Sequence, residues 1–275
     1  NYTFAGFGEK REFDYSRSGN PTRSTLAGAL AALEGGAGAV FTGSGMGAIN
    51  LVTALLSSDD LLVAPHDCYG GTYRLFQHVA AKGSYRVLFV DQTDPVALAQ
   101  ALAQKPKLVW VETPSNPLLR VVDIAAICQQ SHAVGALVAV DNTFLSPLLQ
   151  QPLALGADIV VHSTTKYLNG HSDVVGGAVI AKAPELHEKL AWWGNCLGHT
   201  GGAFDAYLTL RGLRTLAPRM RAHQENANAI LAYLQQQPRV TKIYHPSLPE
   251  HPGHEIAKRQ QQGFGAMLSF EVDFD

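Results

Sequence analysis

Apolar runs of strand length alternate with amphipathic stretches along most of this chain. The runs Ala39–Thr42, Leu61–Ala64, Tyr85–Val90, Lys107–Glu112, Leu137–Asp141 and Asp158–His162 each predict a strand, and Val174–Ala181 predicts a further one. Between them, apolar positions recur at helical spacing over Thr25–Leu33, Gly47–Leu56, Thr72–Ala81, Pro95–Gln104 and Ile124–Val134. Near-continuous apolar strands alternating with helices predict an α/β fold, a mostly parallel sheet sandwiched by helices. In such a sheet the chemistry is expected at the carboxyl ends of the strands.

From about Ala203 the pattern changes to a long helical stretch through Gln237, interrupted by Pro218, with strand-like segments at Val240–Tyr244 and Ala266–Asp273. Residues up to about Gly19 are polar and aromatic without periodicity, which predicts an arm rather than core. The expected division is an arm at 1–24, an α/β domain at 25–212, and a connecting helix with the start of a truncated C-terminal domain at 213–275.

The 275 residues are 46% hydrophobic and 16% charged, enough to bury one large core. A formal net charge of -2 gives no basic stripe for nucleic acid and no polybasic segment for a membrane surface. No apolar run is of bilayer length and the opening residues lack the pattern of a signal peptide, so the cytoplasm is the expected location. Cys68, Cys128 and Cys196 are far apart in sequence and are expected to be small buried hydrophobes. The eleven histidines show no H-E-x-x-H or other paired spacing, so no metal is assigned.

The strongest chemical signal is Asp158-Ile-Val-Val-His-Ser-Thr-Thr-Lys166, a buried strand that ends in hydroxyl residues and then a lysine. A lysine at such a strand end is expected to be desolvated, which supplies a neutral amine able to attack an aldehyde. Ser163 and Thr165 add hydroxyl donors beside it. Taken alone, the run also fits a solvated turn. The preceding strand delivers Asp141 at its end; facing a pyridine nitrogen, an ionised carboxylate keeps that nitrogen protonated and makes the ring an electron sink. Alone, Asp141 also fits a cap for the following turn.

Val40-Phe-Thr-Gly-Ser-Gly-Met-Gly47 reads as a strand, a glycine-rich turn and a helix start, whose free N–H groups form a phosphate site. It imitates a dinucleotide fingerprint, but Ala48 stands where the last glycine belongs, and neither Lys166 nor Asp141 has a role in such a site. Tyr69, flanked by glycines after a strand, presents a ring able to stack on a planar cofactor or to pack in a surface loop. Asn116, between prolines in Glu112-Thr-Pro-Ser-Asn-Pro, either donates its amide to a ring oxygen or closes a turn.

The set Tyr15-Ser-Arg-Ser-Gly-Asn-Pro-Thr-Arg23, Tyr69-Gly-Gly, Glu112-Thr-Pro-Ser-Asn-Pro, Asp141-Asn-Thr and Ser163-Thr-Thr-Lys-Tyr-Leu-Asn-Gly-His-Ser-Asp173 resembles the Cys/Met-metabolism family of pyridoxal-phosphate enzymes over essentially the whole chain. The resemblance implies an aspartate-aminotransferase-like (fold type I) architecture, pyridoxal 5'-phosphate as cofactor, and a homodimer assembling to a homotetramer. It implies that Lys166 binds the cofactor, Asp141 pairs with its nitrogen, Tyr69 stacks on its ring and Asn116 touches the ring oxygen. Phosphate would be held by Gly45, Met46, Ser163 and Thr165, with Tyr15 and Arg17 reaching in from the neighbouring subunit, where a guanidinium suits phosphate bidentately. Arg74 is a candidate for a substrate carboxylate, or part of a solvated helix face.

The segments Ala191-Trp-Trp-Gly-Asn, Thr200-Gly-Gly-Ala-Phe-Asp205 and Gln260-Gln-Gln-Gly-Phe-Gly-Ala-Met267 are most similar to members that catalyse replacement at Cγ. The implied reaction is that of a transferase in methionine biosynthesis: an activated homoserine ester exchanges its acyloxy group for the sulfur of L-cysteine. Lys166 would move the protons, with Tyr69 a candidate acid or base. Elimination, as in the family's lyases, is the rival. Ser18 stands where replacement enzymes can carry a second arginine, as it does in related lyases.

Overall fold

The computed structural model describes residues 4–273. In chain order the elements are β1 (Phe4–Gly6), β2 (Glu9–Lys10), α1 (Pro21–Glu34), β3 (Gly38–Thr42), α2 (Gly45–Thr53), β4 (Leu61–Pro65), α3 (Gly70–Ala81), β5 (Arg86–Val90), α4 (Pro95–Leu102), β6 (Leu108–Glu112) and α5 (Ile124–Ala133). There follow β7 (Leu137–Asp141), α6 (Ser146–Leu149), β8 (Ile159–Ser163), β9 (Gly177–Ala181), α7 (Pro184–Leu197), α8 (Ala203–Leu213), α9 (Leu216–Leu234), β10 (Val240–Tyr244), α10 (His254–Gln260) and β11 (Ser269–Val272).

A seven-stranded sheet in the order β3-β9-β8-β7-β6-β4-β5 carries the architecture. The pairs β4·β5, β4·β6, β6·β7 and β7·β8 are parallel, whereas β9 runs antiparallel to both β3 and β8. The mostly parallel expectation holds, and β9 is the reversed strand. Its apolar run carries no mark of direction, since parallel and antiparallel strands buried on both faces read alike. Apolar side chains alternate between two cores, one per face. Leu26, Leu30, Val109, Val138 and Val160 fill one, and Ile49, Leu51, Phe76, Trp110 and Val161 the other.

Local chemistry sets the helix starts. Asn20 caps α1, its side chain accepting from the N–H groups of Thr22 and Arg23 at 3.0 and 3.2 Å, with Pro21 in the first turn. Gly35 ends that helix in the left-handed region at φ 73°. Ser44 caps α2 by accepting from Gly47 N–H at 3.0 Å. The expected long helix is divided, but the break falls at Arg214–Thr215 and not at Pro218. Pro218 lies in the first turn of α9, where a missing N–H costs no helical hydrogen bond.

Three helices were not among those expected, the one-turn α6, α7 and α10. Helix α7 does carry an apolar stripe, Leu186, Leu190 and Trp193 at i, i+4 and i+7, which packs on the second core. Its outward face also corrects one expectation: Cys68 and Cys128 are buried, but Cys196 is exposed. The strands predicted near the C-terminus pair with one another as a separate two-stranded sheet, β10 with β11. Among the described residues no helix is long and apolar enough to cross a membrane. The first three residues of the expected arm lie outside the described residues, and Phe4–Gly6 pairs with Glu9–Lys10 as a short hairpin.

Candidate active site

The carboxyl ends of β3, β4, β6, β7 and β8 open into one cleft of about 1040 Å³. Gly45, Met46, Tyr69, Asn116, Asp141, Ser163, Thr165 and Lys166 all line it, although they come from segments far apart in sequence.

Asp141 ends β7 directly beside Glu112 of β6, and the two side chains lie on the same face of the sheet. Thr143 N–H donates to Asp141 Oδ1 at 3.0 Å, and Ser163 N–H donates to Thr143 Oγ1 at 2.9 Å. The Asp141 carboxylate is thereby tied to the end of β8, the strand that leads to Lys166. Burial pushes the Asp141 carboxyl above its ordinary range, while the Thr143 hydrogen bonds and the nearby His162 imidazole oppose the rise. His162 belongs to the opposite face, where its Nε2 meets Glu34 Oε1 at 2.6 Å with both side chains 1% exposed. Glu34 also accepts from Asn142 Nδ2 at 2.9 Å, so one core carboxylate braces the ends of both β7 and β8.

Glycine geometry shapes the other wall. A Cβ built on Gly45 would lie 2.8 Å from Ser163 Cβ, so the first turn of α2 reaches the end of β8 only because that position has no side chain. The N–H groups of Gly45 and Met46, in that first turn, have no helical carbonyl to bind. Together with the hydroxyls of Ser163 and Thr165 they make an anion cradle. Thr165 Oγ1 accepts from Gly176 N–H at 3.0 Å, which fixes the turn that carries Lys166. Lys166 itself is exposed to the cleft. The expected desolvation is absent in the protein alone because this turn carries the lysine beyond the buried part of β8.

Tyr69 caps α3 and is 50% exposed, its ring on the cleft wall. Its N–H donates to both carboxylate oxygens of Glu112, at 3.1 and 2.9 Å. Burial first, and then the charges of Asp141 and Asp67, push the Glu112 carboxyl up to about 8, against the Tyr69 hydrogen bond.

The remaining predicted residues lie elsewhere. Arg17 bonds to the Asn195 carbonyl and Oδ1 at 2.7 and 2.6 Å on α7 of its own chain, with its guanidinium 5.4 Å from the Tyr15 ring centroid. Neither residue lines this cleft, and Arg74 stands on the exposed face of α3. Thr143, His223 and Met267 line the cleft without having been singled out. Thr143 was within reach of sequence reasoning, as the second residue after Asp141. His223 on α9, its ring 5.3 Å from that of Tyr167, comes from a distant segment with no local signature, and Met267 ends a segment that carried the resemblance but no role of its own.

An amine, a half-buried carboxylate, an aromatic wall and an anion cradle that a Cβ would fill fit pyridoxal 5'-phosphate in charge and chemistry. The model of the Cys/Met metabolism PLP-dependent enzymes matches residues 1–275, and the chain belongs to that family and uses pyridoxal phosphate. Within it, the chain is 69% identical over 275 residues to cystathionine gamma-synthase of Escherichia coli (strain K12), covering 100% of this chain and 71% of the relative. It is also 48% identical over 261 residues to a cystathionine gamma-lyase of Dictyostelium discoideum, covering 95% of this chain and 67% of the relative. The crystal structure of cystathionine gamma synthase from Xanthomonas oryzae pv. oryzae in complex with cystathionine superposes with a TM-score of 0.98 at 61% identity, over 100% of this chain and 71% of that one.

Proposed function

We propose that the chain catalyses γ-replacement. The acyloxy group of an O-acyl homoserine, in the first instance O-succinyl-L-homoserine, is exchanged for the sulfur of L-cysteine, giving L-cystathionine and succinate. The Cγ–O bond breaks, a Cγ–S bond forms, and the thiol proton leaves with the acid. The observation that carries this reading is the identity to the Escherichia coli synthase along the entire chain.

When bound, pyridoxal phosphate supplies an aldehyde that takes up amines and a ring that draws electron density from a substrate's Cα. In this reading Lys166 holds the cofactor through its amine and, once released by the substrate's amine, takes the proton from Cα and then moves one at Cβ. Asp141, oriented by Thr143, accepts from the protonated ring nitrogen. Tyr69 covers the ring, Asn116 donates to the ring oxygen, and Gly45, Met46, Ser163 and Thr165 hold the phosphate. Arg74 is the candidate for a substrate carboxylate. We further infer a homodimer, assembling to a homotetramer, in which Tyr15 and Arg17 complete a neighbour's cleft. Their position outside their own cleft supports this.

Elimination is the second reading, favoured by Ser18 and by the similarity to a lyase. Product analysis separates the two. Supplied with O-succinyl-L-homoserine and cysteine, the enzyme is expected to form mainly cystathionine, with 2-oxobutyrate rising when cysteine is withheld. Rapid consumption of cystathionine, with none made from the ester, establishes the lyase instead. Borohydride reduction followed by peptide mapping tests the site, with the adduct expected on Lys166; an adduct on another lysine refutes the assignment.

A further inference from the structure

Two carboxylates line the cleft without a task in the reaction above, Asp173, which accepts from Asn169 Nδ2 at 2.7 Å, and Glu112. Glu112 is the one that stands beside Asp141. It ends β6 beside Asp141, where burial and that neighbour both penalise its charge. A carboxylate kept there needs a partner, and the partner it has is a backbone group, the N–H of Tyr69, shared by both carboxylate oxygens. Tyr69 is the N-cap of α3, and no side chain caps that helix from within. Further along the same two elements, Phe76 of α3 packs edge-on against Trp110 of β6 at 5.5 Å between centroids, both fully buried. Helix and strand are thus joined at two points, a ring contact in the core and a polar pin at the mouth of the cleft.

The ring of Tyr69 is confined from the other side. A Cβ built on Gly71 would lie 2.5 Å from Tyr69 Cε1 and 2.9 Å from Met46 Sδ, so the ring rests on the bare backbone of Gly71 next to the phosphate-side helix. With its backbone held by Glu112 and its ring held by Gly71, Tyr69 has little freedom left.

We propose that Glu112 is a positioning residue that sets the height and tilt of the Tyr69 ring over the cofactor. The inference rests on the reading of the cleft as the pyridoxal-phosphate site. A double-mutant cycle on the full chain tests it, with apparent cofactor affinity measured by titrating the apoenzyme and visible circular dichroism reporting the geometry of the bound chromophore. Glu112→Ala is expected to weaken the cofactor about tenfold, the scale of a lost stacking contact, and to move the dichroism toward that of Tyr69→Ala. In a Tyr69→Ala background the same change is expected to have no further effect. Glu112→Gln, whose amide oxygen still accepts, is expected to recover most of the affinity. If Glu112→Ala does not fold, Glu112→Gln carries the same cycle with a smaller effect. Equal weakening in both backgrounds, or wild-type affinity and dichroism in the single variant, overturns the inference alone. Wild-type affinity in Tyr69→Ala brings down the reading of the site, and the inference with it.

Discussion

Gly45 and Ser163 approach so closely that a Cβ on the glycine would stand 2.8 Å from that of the serine, and 3.1 Å from its Cα. Backbone lies behind the contact, so a side chain at position 45 cannot be absorbed by a rotamer change. Gly45→Ala is expected to push α2 away from β8, costing about 1–3 kcal/mol of stability as overpacking does. It should also weaken the cofactor more than Gly28→Ala, a helical position with nothing within 4 Å of an added Cβ. Thermal unfolding and cofactor titration of the two variants check this; equal behaviour removes the cradle from the account.

Asp141→Asn keeps the size of the side chain and removes its charge. The variant is expected to retain cofactor and lose most of its turnover, because a neutral amide no longer holds a ring nitrogen protonated. Steady-state rates at saturating cofactor provide the measurement, and near-normal turnover refutes the role.

Stability of the apoprotein should carry the mark of Glu112. Its carboxyl rises from an ordinary 4.5 to about 8 on folding, with Asp141 and Asp67 as the negative groups facing it. The folded state therefore holds this proton more tightly than the unfolded chain does. The resulting stabilisation is fully present below 4.5 and is lost as pH rises toward about 8. Glu112→Gln lacks the titration, so its stability relative to wild type is expected to increase across that window. Denaturant titrations of both apoproteins over that pH range would contradict the assignment if the difference stays flat.

Complementation tests the placement of the arm. A Lys166→Ala chain mixed with an Arg17→Ala chain is expected to recover activity on subunit exchange, since both lesions then fall in one site and leave the other intact. If exchange is shown by mass and no activity returns, Arg17 acts within its own chain, where it meets Asn195.

Legibility in the sequence followed the range of the physics involved. Strands such as β6, β7 and β8 were readable because burial on both faces demands continuous apolar runs, and the ends of β7 and β8 located Asp141 and Lys166 without any knowledge of the fold. Exposure of Lys166 was not readable, because it depends on a turn fixed by the distant Gly176. The bracing of Asn142 and His162 by Glu34 joins residues with no local pattern between them. Helix α7, by contrast, was legible and was missed: Leu186, Leu190 and Trp193 mark its buried side at helical spacing.

The reversed strand β9 also imposes an order of events. It lies between β3, which leads to the phosphate-side helix, and β8, which leads to Lys166, and it pairs with both along their length. Until β9 is inserted, no backbone ladder joins the two strands, and only the packing of α2 on β8 draws Gly45 toward Ser163. During synthesis, a nascent chain that has emerged only as far as Lys166 already contains every residue of the cradle and lacks the strand that spaces them. Capture of the cofactor is therefore expected to follow the emergence of Ala181, the last residue of β9.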